Sequence, residues 1–396
     1  MRIIPVMERN SVSENSKNRV GQFPERSGFI CAQGWEEAFV GELLALAPDC
    51  EARSVAAGLV VCLPSPAIMR VDFIFGRQWL PGIQEIQVGS DSLKEMTDAL
   101  GRTVDTVLDS SPQPWTCMFG TTDAFTLDGE IYREFGPRAS LLEKKFLERM
   151  QEFRKRAMER FCPWPASEPI KSLGRAASHG SKKNVCPKIF IQVLLTGKNR
   201  FWVSIGEAHK LKTGRMVPVF WKTPSERVPN DHLAPCRSYY KLEEAWQELG
   251  TAPHPGQVCV DLGAAPGGWS WSALKRGARV IAVDAADLAS HVAEHEHCEH
   301  LRDNGYAFKP ERLVDWLFCD MIVRPLATLG LVERWLNEGF CRGFVVNVKF
   351  RGRDPSSILK AINDLKMRFS LDGLRVKHLF FDRSEITVMF PGHQKR

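Results

Sequence analysis

Between Val258 and Trp269 a short apolar run ends in Asp261, and Gly263, Pro266, Gly267 and Gly268 follow closely. That order of residue types predicts a buried parallel strand, a tight turn and the start of a helix. Glycine has no Cβ, so a ligand can lie almost against the main chain there. Amides at a helix start, with the dipole behind them, favour polar or anionic groups. The spacing departs from the Gly-x-Gly-x-x-Gly of dinucleotide enzymes, because the middle glycine is replaced and Pro-Gly-Gly follows. Four ionisable residues stand at the ends of neighbouring segments. Lys241 opens a helical stretch, Asp320 and Lys349 close apolar runs, and Glu385 opens the last one. An ammonium ending the apolar run 343–348 is costly to bury unless it is paired. Each of the four alone reads as a surface ion-pair member, and the glycine stretch alone as a plain strand-turn-helix corner. Gathered at the strand and helix ends of one domain, they become candidates for chemistry. Asp284 closes the next apolar run, about twenty residues after the glycines, where a carboxylate can accept from ribose hydroxyls or cap a helix.

From residue 235 onward helical and apolar stretches alternate. Helices are expected over 241–249, 269–275, 331–338 and 356–369; strands lead into Asp261 and over 279–284, 314–320, 343–349, 375–381 and 385–390. Apolar strands separated by helices predict a doubly wound α/β sheet, with ligands at the carboxyl ends of its strands. Only Asp382, Arg383 and Ser384 join the last two strands, too few for a parallel crossover, so the final strand is predicted to run antiparallel.

Upstream, residues 1–27 are rich in Ser, Asn, Arg and Glu and read as a mobile tail. Residues 28–91 give strand, helix, strand, strand, the last over 69–75, and suggest a small α+β module of ferredoxin-like type. A second module spans 92–205, and 206–234 reads as a linker. In that second module Leu142, Phe146, Met150, Phe153, Ala157 and Phe161 mark the apolar face of a helix over 140–161. Its other face holds Lys144, Lys145, Arg149, Arg154, Lys155, Arg156 and Arg160 among four glutamates. That face reads first as solvated and laced by ion pairs, and second as a stripe that meets phosphates. Residues 188–195 and 201–205 read as a hairpin.

A chain of 396 residues predicts two or three domains, and 44% hydrophobic with 25% charged residues is the balance of a soluble globular protein. A formal charge of +6 permits a nucleic-acid partner without demanding one. The 11 cysteines stand singly, with no Cys-x-x-Cys, which argues against a disulfide framework or zinc site and for a reducing cytoplasm. No apolar run reaches membrane-spanning length and no secretory signal opens the chain, so a cytoplasmic protein with no membrane partner is expected. His291, His295, His297, Cys298 and His300 invite a metal reading, but Glu294, Glu296 and Glu299 lie among them and a solvated helix or loop is preferred; no metal is expected.

The motifs Ser-x-x-Lys-Leu at 238–242, Asp-Leu-Gly-x-x-Pro-Gly-Gly-Trp at 261–269, Cys-Asp-Met at 319–321, Asn-Val-Lys at 347–349 and Arg-x-Glu-x-Thr-Val at 383–388 follow in order. Together they resemble the FtsJ-type RNA 2′-O-ribose methyltransferases, whose glycine loop binds S-adenosyl-L-methionine (SAM). The stretch Trp335 to Arg342 and the tail from Leu379 to Val388 resemble the RlmM family of 23S ribosomal RNA cytidine 2′-O-methyltransferases within them. The likeness is dense over 235–390, looser before, and does not cover 1–27. It implies a Rossmann-like SAM-dependent methyltransferase domain over 235–396, with a mostly parallel sheet and an antiparallel last strand, behind ferredoxin-like and THUMP-like RNA-binding modules. It implies a catalytic set of Lys349, Lys241, Asp320 and Glu385, Lys349 being the proton acceptor. A lysine serves as a base when its pKa is lowered, which burial and the second ammonium of Lys241 are expected to do. The family likeness places SAM against Ser238, Gly263, Ala265, Pro266, Gly267, Gly268, Asp284 and Asp320. Where the family has Asp before Gly near the adenine, this chain has Asp303-Asn304-Gly305, so Asn304 or Asp303 fills the role. The implied partner is 23S ribosomal RNA, for a monomer or weakly self-associating protein. A non-catalytic RNA-binding or ribosome-assembly factor with the same fold is the alternative, and a nicotinamide oxidoreductase is disfavoured by Pro-Gly-Gly and the lysines.

Overall fold

The computed structural model describes residues 26–63, 68, 72–122, 133–163, 187–207, 209–210, 216–217, 228–350, 352 and 354–393. The tail over 1–25, the stretch 164–186 and most of the expected linker lie outside them. The described residues form two compact units, divided between Arg227 and Val228.

The amino-terminal unit holds two four-stranded sheets. The first is built from β1 (Ser27–Ile30), α1 (Glu36–Leu46), β2 (Ala52–Ala56), β3 (Leu59–Cys62) and β4 (Gln78–Pro81). Its order is β2-β3-β1-β4 with every neighbour antiparallel, so β3 lies between the two strands that α1 connects. The strand expected over 69–75 is corrected: the described part, 72–75, is irregular, and the strand falls at β4.

The second sheet, β5-β8-β7-β6, contains β5 (Gln84–Gln87), β6 (Trp115–Thr121), β7 (Ile189–Leu195) and β8 (Arg200–Glu207). Pairing by β5 places residues ahead of Ser92 in this second sheet. Strands β7 and β8 form the expected antiparallel hairpin. Two helices cover one face, α2 (Leu93–Ser110) and α3 (Gly136–Phe153). Ser92 caps α2 by accepting the amide of Glu95, and Pro137 sits in the first turn of α3, where its missing N–H costs nothing. Leu142, Phe146 and Met150 are buried against Trp115, Ile191 and Phe201. The helix expected over 140–161 ends at Phe153, and the single turn α4 (Lys155–Met158) follows. A two-stranded pair, β9 (His209–Lys210) and β10 (Met216–Val217), completes the described part.

The carboxyl-terminal unit is an α/β layer structure around one sheet. Its elements are α5 (Tyr239–Leu249), β11 (Val258–Leu262), α6 (Gly268–Leu274), β12 (Arg279–Val283), α7 (Ser290–Ala293), β13 (Cys298–Leu301), β14 (Val314–Cys319), α8 (Pro325–Asn337), β15 (Cys341–Lys349), α9 (Ser356–Arg368), β16 (Arg375–Lys377) and β17 (Glu385–Phe390). The seven strands run β13-β12-β11-β14-β15-β17-β16, parallel through β15. Strand β17 is antiparallel to both β15 and β16, as the short last connection requires. The expected strand 375–381 is shorter, ending at Lys377. Burial on both sheet faces explains the near-continuous apolar strands: Phe344, Val345, Val346 and Val348 of β15 are all at most 1% exposed. Residues of the expected linker belong to this unit, since Asp231 accepts from Trp271 Nε1 at 3.0 Å.

Candidate active site

Four elements deliver the ionisable residues to one place. Lys241 lies in the first turn of α5, Asp320 just after β14, Lys349 at the end of β15 and Glu385 at the start of β17. Because β15 and β17 are antiparallel, the end of one meets the beginning of the other, and Lys349 is the direct register partner of Glu385. Lys241 Nζ lies 2.5 Å from Glu385 Oε1 and 3.4 Å from Asp320 Oδ1. Lys349 Nζ lies 2.8 Å from Glu385 Oε2 and donates to Asp320 Oδ1. Each amine therefore touches both carboxylates in a closed, alternating ring. The four side chains are 10–18% exposed, so the charges are largely desolvated and depend on one another.

The protonation state of Lys349 corrects the sequence-based expectation. Burial does lower its proton affinity, but the charges of Asp320 and Glu385 and their hydrogen bonds outweigh it, and Lys349 is held above the ordinary lysine range. Lys241 does not reverse this, because the two carboxylates stand between the amines. Burial raises the Glu385 carboxyl, and Lys241 and Lys349 overcome that to hold it low. The resting ring thus contains an ammonium at Lys349.

Helix α5 is itself fixed to the ring's other side. Tyr239, Leu242, Ala245 and Trp246 form its buried stripe. Glu244, fully buried on another face of the helix, accepts the amides of Phe380 at 3.0 Å and Phe381 at 3.2 Å. That clip ties the helix bearing Lys241 to the loop that leads into Glu385.

The glycine turn follows β11 beside the ring. Gly263 and Gly267 have φ of +75° and +109°, a backbone that side chains rarely adopt. A side chain at these glycines would meet neighbouring protein. A Cβ on Gly268 would meet Cys236 Sγ and Ser238 Oγ at 2.6 Å, one on Gly267 would meet Val292 at 2.9 Å, and one on Gly263 would strike Met321. The glycines admit neighbouring protein, and the turn is packed tightly as a result. Ser238 and Asp284 flank the turn: Asp284 Oδ2 accepts the Ala265 amide at 3.0 Å, and Oδ1 accepts that of Ala286 at 2.9 Å. Gly305 approaches Gly263 from the connection after β13 and brings Asp303 and Asn304 to the same edge. Asn304 spends its side-chain oxygen on the Tyr306 amide at 3.0 Å, and Asp303 spends one of its two on the Asn304 amide at 2.6 Å.

Three residues that the sequence reading left without a role belong to this edge. Asp261 is fully buried and accepts from Ser270 Oγ at 2.7 Å; burial first, then the charges of Asp320 and Asp284, push its carboxyl up to about 7. Asn347 donates to Asp320 Oδ1 at 2.9 Å and Thr387 donates to Asn347 at 2.7 Å. The available signal was the strand period of two, which puts Asn347 on the face of Lys349 and Thr387 on the face of Glu385. The histidines diverge: His291 faces the Leu233 carbonyl at 2.8 Å, and His300 that of Asp284 at 3.1 Å. Among the described residues no group of His, Cys, Asp or Glu is arranged to hold a metal, and no helix is long and apolar enough to cross a membrane.

The fold and the ring at its edge define a class: over residues 234–363 the chain matches the FtsJ-like methyltransferase family. It is 31% identical over 335 residues to ribosomal RNA large subunit methyltransferase M of Laribacter hongkongensis, covering 80% of each chain. The chain belongs to that family. The protein of the same name from Azotobacter vinelandii is 38% identical over 178 residues, covering 42% of this chain and 50% of the relative. That from Thauera aminoaromatica is 34% identical over 233 residues, covering 56% and 62%. In these two the match spans half to about three fifths of the relative's length.

Proposed function

We propose that this chain transfers a methyl group from SAM to the ribose 2′-hydroxyl of a cytidine in 23S ribosomal RNA, with Lys349 as the general base. The observation that supports it most is the closed ring of Lys241, Asp320, Lys349 and Glu385 beside the glycine turn. A ribose hydroxyl is a poor nucleophile and must give up its proton as it attacks. SAM would supply a methyl carried on a sulfonium. Ser238, Asp284 and the tight turn over 263–268 would hold it. For the adenine amino group either Asp303 or Asn304 can serve as acceptor, since each keeps lone pairs beyond the one bond it accepts in its own turn.

Lys349 rests as an ammonium, so it must lose a proton before it can accept one. That proton leaves to solvent, and Asp320 and Glu385 remain in contact with the emptied amine as acceptors. Once emptied, the amine is a strong base, since the same two carboxylates stabilise the ammonium that forms when the hydroxyl proton arrives. Lys241 neutralises the second charge of the carboxylate pair and keeps both in place.

We read the first sheet, whose order is β2-β3-β1-β4, as ferredoxin-like, and the second, which takes in β5 ahead of Ser92, as a THUMP-like module supplying phosphate contacts to RNA. We assign the methyltransferase domain to the unit from Val228 onward, which takes in the end of the expected 206–234 linker.

The test is transfer of labelled methyl from SAM to bacterial ribosomal RNA, followed by nuclease digestion to locate the label on ribose. Lys349→Ala is expected to abolish transfer and leave SAM affinity within about threefold. Full activity in that variant overturns the base assignment. Salt-dependent RNA binding without any transfer favours the binding-factor reading.

A further inference from the structure

Behind the ring, Asn347 and Thr387 are register partners on β15 and β17, one pair inward on the same face from Lys349 and Glu385. Both are fully buried. Asn347 Nδ2 donates to Asp320 Oδ1 at 2.9 Å, and its Oδ1 lies 2.7 Å from Thr387 Oγ1. The same hydroxyl lies 2.9 Å from Asp382 Oδ2, which accepts the Leu379 amide at 2.9 Å.

Counting hydrogens orders this chain. A threonine hydroxyl has one to give. Asn347 cannot be turned over, because its carbonyl oxygen would then face the Asp320 carboxylate, acceptor against acceptor. The Thr387 hydrogen therefore belongs to Asn347, and the hydrogen between Thr387 and Asp382 has to come from Asp382. The surroundings agree: Asp382 is 3% exposed. Burial and then the Glu385 charge push its carboxyl well above the usual range, Lys241 pulls the other way, and Glu244 adds to the rise.

We propose that Asp382 is a neutral acid that donates to Thr387 and starts a one-way chain, Asp382 to Thr387 to Asn347 to Asp320, which fixes the Asp320 oxygen on which Lys349 rests. Asp382, Thr387 and Asn347 are positioning residues for the ring. An ionised Asp382 would draw the Thr387 hydrogen to itself, leave the Asn347 carbonyl without a donor and loosen Asp320. The consequence for turnover rests on the methyltransferase reading; the protonation of Asp382 does not.

Infrared difference spectra of the full chain near neutral pH test the protonation directly. Subtracting Asp382→Asn from the unsubstituted protein is expected to show one protonated-carboxyl band lost. Thr387→Val is expected to shift that band to higher frequency, because the acid loses its acceptor, and Thr387→Ser to restore it. The valine variant should lower kcat roughly tenfold, the worth of about one buried hydrogen bond, with KM for SAM unchanged and rescue by serine. No band lost in Asp382→Asn, or a band unmoved by Thr387→Val, overturns the proposal. Should Asp382→Asn fail to fold, the valine and serine pair decides alone. A protein that shows the band but transfers no methyl would fail the enzymatic reading and leave the chain standing.

Discussion

Arg149 on α3 and Arg154 just past its end, and Lys241 and Lys349 beside the seven-stranded sheet, are all cations held by more than one carboxylate. Arg149 reaches Asp98 at 3.7 Å and Asp105 at 3.0 Å, and Arg154 pairs with Asp105 and Asp109. Those pairs join α3 to α2 where Asp98 and Asp109 are 49% and 63% exposed, although the Arg149 and Arg154 side chains themselves are 18% and 26% exposed. The solvated, ion-paired reading of that helix face therefore describes Arg149 and Arg154 better than the phosphate stripe does. In the ring no side chain is more than 18% exposed, and every partner is itself charged. A surface pair is made cheaply and lost cheaply. A desolvated ring costs several kcal/mol to assemble and adds little stability over an apolar replacement, so a chemical use is the economical explanation of it.

That contrast can be broken most sharply at Glu385. Glu385→Gln leaves two buried amines sharing one carboxylate, and is expected to cost about 3 kcal/mol of stability and about a hundredfold in methyl transfer. Denaturant melts and single-turnover rates check the two separately; a variant as stable and active as the parent would make the ring an ordinary ion-pair cluster.

A smaller effect is expected from Asp261. Its folded carboxyl, raised to about 7, holds a proton that the unfolded chain releases near 4. The folded state binds the extra proton between those values, so this group's stabilisation is complete at low pH and is lost as pH rises through about 7. Asp261→Asn should flatten that part of the Tm profile, and an unchanged profile would assign the slope to another group.

The smallest effect belongs to the surface pairs. Arg149→Ala is expected to cost about 1 kcal/mol and leave the rate of methyl transfer unchanged. A large loss of RNA affinity in that variant would return the arginine to a phosphate-contacting role.

Residue order alone settled a good deal. Apolar runs separated by helical periods specified an α/β sheet, because such strands are stable only when covered on both faces. Three residues between the last two strands were enough to fix an antiparallel ending, since no crossover fits. The positions of Lys241, Asp320, Lys349 and Glu385 at element ends were legible for the same reason. Their partners were not. Two lysines and two acids give no hint of which pairs form, and the sign of the Lys349 shift depended on distances that only the β15–β17 register sets. The glycines were legible as a turn, while what they make room for (Met321, Val292, Ser238) comes from elements far along the chain. Strand β13 hid in a run of histidines and glutamates because an edge strand needs no apolar face. Asn347 and Thr387 read as lone polar residues in apolar strands until pairing set them face to face, for a hydrogen bond across strands is decided by register and burial and by nothing local.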